Sequence, residues 1–225
     1  PRSIDPPLIA IAAEPPPPGA PPPRAQSPAL LFVPGLLFMA LLFMAQGIAR
    51  EFWDELEQRT LHRSLMTPGG AAPFLLGKLV TGALLMLAVV AIALALGLAA
   101  YDLPGAVYLP ALVWATLAGV AFLALFSLLT LAMPSARAAN MIGMGLLFPL
   151  MMIGGSFFPL EAMPRWMAAI GALTPNGWAL QRLKGILSGE LAAIPFAVGL
   201  AAMLAVTAAL TALNTQRLRS RFGKG

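Results

Sequence analysis

Five long apolar stretches after residue 28 decide what this chain can fold into. They run over roughly 29–49, 73–100, 106–133, 138–158 and 192–213. At 1.5 Å per residue, a helix needs about 20 predominantly apolar residues to cross the ~30 Å hydrocarbon core of a bilayer. The stretches are too long for strands and lack the alternation of a barrel wall. In lipid the backbone must satisfy its own hydrogen bonds, so runs of this kind fold as helices. The expected architecture is an all-α integral membrane protein with five transmembrane helices. Composition agrees: of 225 residues, 59% are hydrophobic and 10% are charged, against about 25% charged in a soluble domain.

Residues 1–28 differ in kind and hold 11 of the 22 prolines. Pro15–Pro18 and Pro21–Pro23 cannot donate helix or ladder hydrogen bonds and favour an extended polyproline II linker. The chain opens at Pro1 without the basic-then-apolar pattern of a signal peptide. This region is expected to be the remnant of a longer segment. Residues 164–187 carry Arg165, Trp166, Trp178, Arg182 and Lys184. They are too polar to span and read as an interfacial or re-entrant piece.

Cation placement gives an orientation. With five spans, one side receives 50–72, 134–137 and 214–225, which carry eight Lys and Arg residues. The other side receives 1–28, 101–105 and 159–191, which carry five. The positive-inside rule puts the first set in the cytoplasm, with the basic tail 215–225. That tail also suits anionic lipid headgroups.

Residues 50–68 are the most charged stretch. Helical spacing puts Phe52, Trp53 and Leu56 on one face and Asp54 and Glu57 roughly opposite. Glu55 and Arg59 form an i,i+4 pair in the favourable order. After Thr60 the apolar stripe moves, with Leu61 and Leu65 on another face. Two short helices bent near Arg59–Thr60 fit better than one. Pro68-Gly69-Gly70 ends the second piece. The segment reads either as an amphipathic helix at the membrane surface or as a docking element for a cytoplasmic partner.

Several chemistries are excluded. Cysteine is absent and His62 is the one histidine, so thiolate and histidine metal sites are improbable. Gly77-Lys78 is not a P-loop: the position of its first glycine is Ala72, and Leu79 replaces the Ser or Thr. The span interiors offer Thr81, Thr116, Ser127, Thr130 and Ser156 but no Asp, Glu or His. Intramembrane proteolysis and proton coupling both need such groups. Lys78 lies near enough to a span end to snorkel to water. The Met-rich fourth span (Met141, Met144, Met151, Met152) is a candidate lining for an adaptable path, with ordinary helix packing as the plainer reading. What remains is a permease driven by a separate motor, a structural membrane subunit, or a motor-independent carrier.

The stretch VPGLLFMALLFMAQGIAREFWDELEQRTLHRSLMTP, followed by GKLVTGALL, resembles the permease of type-2 ABC exporters. There a span entered through a Pro-Gly pair precedes an acidic stretch, then Gly-Thr-Leu-Glu-Arg-Leu, Thr-Pro and Gly-Lys. Arg59-Thr60-Leu61-His62-Arg63-Ser64-Leu65, Thr67-Pro68 and Gly77-Lys78 match in order and spacing. Arg59 replaces the family's glycine and His62 its glutamate. GGSFFPLEAMPRWM and LTPNGWALQRLKGIL are similar to the signature between the last two spans.

The resemblance covers roughly 30–213 and implies the last five spans of a six-span permease. The membrane domain is then 29–214, and the proline-rich 1–28 is the end of an extracellular region. It also implies that Arg50, Glu51, Phe52, Glu55, Glu57, Arg59, Thr60, Leu61, Arg63, Leu65, Thr67 and Pro68 couple to an ATP-binding cassette subunit. A second permease subunit, identical or different, would pair with this one in the bacterial inner membrane. An outer re-entrant hairpin would use Phe157, Phe158, Pro159, Pro164, Trp166, Pro175 and Trp178. ATP and magnesium would bind on the partner and no cofactor or metal on this chain. No enzymatic activity and no nucleic acid partner are expected, and drugs, lipids, polysaccharides and ions all fit as substrates.

Overall fold

The computed structural model describes residues 28–57, 71–101, 105–190 and 192–222. Among these residues there is no strand, and seven α-helices follow in order. They are α1 (Pro28–Glu57), α2 (Ala71–Tyr101), α3 (Tyr108–Ala132), α4 (Ala136–Ile153), α5 (Arg165–Leu173), α6 (Pro175–Leu187) and α7 (Ala193–Phe222). Five of them, α1 to α4 and α7, are long and apolar enough to cross a membrane. They coincide with the five apolar stretches.

Three boundaries differ from the hydropathy reading. Helix α1 runs past Ala49 to Glu57 without a break. Residues 50–57 contain no Gly or Pro, and Arg, Glu and Leu are good helix formers. The first half of the charged segment is therefore continuous with its span and does not turn into the membrane plane. Helix α4 stops at Ile153, short of residue 158, because Gly155 adopts φ +86°. A left-handed residue just beyond a helix end is readily adopted only by glycine. Helix α7 continues to Phe222, so the start of the basic tail forms its last turns. The bend expected at Arg59–Thr60 and the proline-rich residues 1–27 lie outside the described residues.

Helix α3 is the centre and touches α1, α2, α4, α6 and α7. Apolar surface gains little by leaving lipid, so membrane helices associate through close van der Waals contact over small residues. Ala111, Ala115 and Ala118 of α3 are fully buried. A Cβ on Gly119 would stand 2.7 Å from Met86 Sδ and 3.2 Å from Leu41 Cδ2. On α1 the facing stripe is Leu37, Phe38, Leu41, Leu42, Ala45 and Ala49, all buried. Phe38 meets Phe122 edge-on at 5.9 Å.

Helix α7 is fixed to α3 by a buried amide. Asn214 Nδ2 donates to Ala124 O at 2.8 Å and to Leu210 O at 2.9 Å. An interhelical hydrogen bond of this kind contributes about 1 kcal/mol. Asn214→Leu is expected to lower the melting temperature in detergent by about 2–4 °C. Thermal unfolding followed by circular dichroism checks this, and an unchanged midpoint would remove the bond from the account.

Candidate functional site

The end of α1 is held on two sides. Glu51 and Glu55 lie one turn apart on α1 and therefore share a face. Between them sits Lys78 of α2, its Nζ 3.1 Å from Glu51 Oε2 and 2.9 Å from Glu55 Oε1. The Lys78 side chain is only 8% exposed. Its Nζ also stands 4.7 Å from the centroid of the Phe52 ring. Phe52 is buried and meets Phe74 of α2 edge-on at 6.0 Å. On the other flank, Trp53 Nε1 donates to Thr130 O near the end of α3 at 3.2 Å.

Lys78 thus does not reach outward to water, as its position near a span end implied. It folds back over an aromatic ring between two carboxylates. Charge-assisted bonds in such a half-buried place are stronger than surface pairs. Arg50 and Asp54 are exposed on the same turns. Arg137, Arg217 and Arg219 are exposed at the same end of the bundle, where α3 ends, α4 begins and α7 ends. Among the described residues no three His, Cys, Asp or Glu side chains group to hold a metal ion.

The opposite end carries the two short helices. Thr174 joins them: its Oγ1 donates to Gly171 O at 2.7 Å and accepts from Gly177 N at 3.0 Å. Pro175 opens α6, where its missing N–H costs nothing. Asn176 is fully buried, and its Nδ2 donates to Leu150 O at 3.1 Å and to Ser156 Oγ at 3.0 Å. It thereby adds a second donor to a carbonyl in the last turn of α4 that also accepts from Gly154 N at 2.9 Å. A Cβ on Gly171 would run into Ile153 O, so α5 lies directly on the backbone of α4. Trp114 Nε1 donates to Ala179 O at 2.9 Å, and its ring lies 5.4 Å from that of Trp178. Leu173 and Pro175, at the turn, line one groove with Phe122 and Leu125 of α3. The turn therefore lies level with the middle of α3. At 13 residues α6 is about 20 Å long, short of a membrane crossing.

The residues singled out from the sequence fall as follows. Arg50, Glu51 and Glu55 share the junction with Lys78, while Phe52 points inward. Glu57 ends α1. Arg59, Thr60, Leu61, Arg63, Leu65, Thr67 and Pro68 lie outside the described residues. The expected Glu55–Arg59 pair thus lies outside the described residues, and Glu55 bonds Lys78. At the other end Phe157, Phe158 and Trp166 are exposed, and Pro159 is buried. Pro164 precedes α5, Pro175 starts α6, and Trp178 is half-buried. Met141 and Met152 face outward while Met151 is in the core, so the methionines do not share one side. The bonds of Lys78 and Asn176 were not foreseen. The Thr-Pro-Asn-Gly run is a helix-start signal, and it gives the start of α6 but not the bonds of Asn176 to α4.

A family model described as ABC-2 family transporter protein matches residues 21–215. No curated protein and no solved structure matches the chain.

Proposed function

The chain belongs to the ABC-2 transporter family, whose members are membrane permeases, and from that premise we propose that it is the permease subunit of an ATP-driven exporter. The observation that carries this reading is the Lys78 bridge. It ties the end of α1 to the start of α2, and residues 58–70 connect those two ends. A push on that connection moves both helices together, and both pack on the central α3. The chain has no P-loop, so the force comes from a separate ATP-binding subunit that carries the ATP and its magnesium. That subunit docks on the segment from Arg50 to Pro68. Two permease subunits, identical or different, enclose the path.

In this reading the end with Arg50, Lys78, Arg137, Arg217 and Arg219 faces the cytoplasm of a bacterial cell, in keeping with the positive-inside rule. Helices α5 and α6 form a re-entrant hairpin on the outer side. The position of their turn beside Phe122 and Leu125 supports that arrangement. Non-helical backbone at such depth is tolerated where protein covers it, as Asn176 and Thr174 do here.

Co-expression with an ATP-binding subunit encoded beside it, followed by reconstitution, tests the proposal. ATP hydrolysis in the complex is expected to rise several-fold with drug-like or lipid substrates. Failure to copurify with any ATP-binding subunit would favour a motor-independent carrier. Copurification without any transported substrate would favour a non-transporting scaffold or immunity subunit.

A further inference from the structure

We propose that the groove between α3, α7 and the α5–α6 turn holds the acyl chain of an anionic phospholipid whose headgroup phosphate is bound by Arg182. The groove has a volume of about 390 Å³ and is walled by Phe122, Leu125, Leu173, Trp178, Ala202 and Val206. Its α7 wall runs from Ala202 to Leu210. That is about 12 Å of helix, close to half of the ~30 Å hydrocarbon core and so one leaflet deep. The bond from Asn214 to Ala124 O draws α7 onto α3 at the inner end.

At the outer end stands an uncompensated cation. The Arg182 guanidinium lies 5.0 Å from the Trp178 ring, and Trp178 lines the groove. Its Nη1 donates to Pro195 O at 2.8 Å. A guanidinium has five donors in a fork that matches a phosphate. Gly199 makes room for it, since a Cβ there would stand 2.7 Å from Nη1. The guanidinium is therefore held in place beside the mouth of the groove. Neighbouring Lys184 is different, because Glu161 neutralises it at 2.9 Å. No described carboxylate pairs with Arg182. An immobilised arginine above an apolar slot one leaflet deep complements a lipid with a negative headgroup. Ile194, Val198 and Leu204 leave the adjoining face of α7 apolar and exposed, so lipid has free access. The site needs neither ATP nor transport, and its failure would leave the exporter reading untouched.

The full chain in phosphatidylcholine vesicles, titrated with phosphatidylglycerol bearing brominated acyl chains, provides the test. Bromine quenches tryptophan on contact, and Trp178 lines the groove. Brominated phosphatidylglycerol should bind about five-fold more tightly than brominated phosphatidylcholine, the preference one arginine gives near a membrane surface. Arg182→Gln should abolish that preference, and Arg165→Gln should keep it. Val206→Phe leaves Arg182 and its bonds intact, adds no tryptophan to the readout, and should exclude both lipids from the slot. Unchanged selectivity in Arg182→Gln would overturn the proposal. So would unchanged binding in Val206→Phe, or a disulfide-linked dimer formed through Ala202→Cys, which would mean that a second copy fills the groove.

Discussion

Replacing Lys78 with alanine is expected to uncouple ATP hydrolysis from transport, lowering substrate-stimulated turnover at least ten-fold while the protein still inserts. The reason is local. The ammonium lies within 3.1 Å of Glu51 and 2.9 Å of Glu55. Without it, two like charges one turn apart face each other beside a buried aromatic ring. Like charges at that spacing repel. Lys78 is the buried member of the cluster, while Glu51 is 56% and Glu55 31% exposed, so the carboxylates keep part of their solvent and lose a partner. The single change should cost about 1 kcal/mol and lower the melting temperature by about 2–4 °C. The triple variant Lys78→Ala, Glu51→Gln, Glu55→Gln should regain most of the stability. It should not regain coupling, because the ends of α1 and α2 are no longer tied. Stability and coupling are therefore predicted to separate. A triple variant that transports normally would show that packing of Phe52 on Phe74 alone transmits the motion. Lys78→Ala with full activity would remove the bridge from the mechanism altogether.

That bridge also marks the limit of what the sequence could show. The five spans were legible because their signal is local: length and apolarity decide them within one segment. The places where the hydropathy reading slipped are places where another force set the helix end. Residues 50–57 are polar, yet α1 continues through them, since hydropathy measures lipid compatibility and not helix propensity. Gly154-Gly155 sits inside an apolar run, yet the φ of +86° at Gly155 ends α4 there. Lys78 was visible as an isolated charge, but its partners are 27 and 23 residues away in sequence. No periodicity carries that pairing. Asn176 shows the same limit. Thr174-Pro175 announces a helix start, but that the next residue caps α4, 26 residues upstream, follows only from the packing.

The same reasoning makes Gly171 a position where a small change should have a large structural effect. Gly171→Ala adds one methyl group, and the built Cβ falls on the carbonyl oxygen of Ile153. The obstacle is backbone, at the end of α4, so it cannot swing aside as a side chain would. Helix α5 must move off α4, and that displaces Thr174 and Asn176 with it. The Asn176 bonds to Leu150 O and Ser156 Oγ then break. The expected cost is about 3 kcal/mol, or roughly 10 °C in melting temperature for a chain of this size. Gly145→Ala in α4 is the matched control. Nothing lies within 4 Å of its Cβ, and alanine in a helix interior is favoured over glycine by about 0.5–1 kcal/mol. The two variants make the same chemical change with opposite expected signs. A hairpin lying on the membrane surface would tolerate both. One packed against α4 at the level of mid-α3 tolerates only Gly145→Ala. Equal melting temperatures for the two would therefore argue against the re-entrant arrangement.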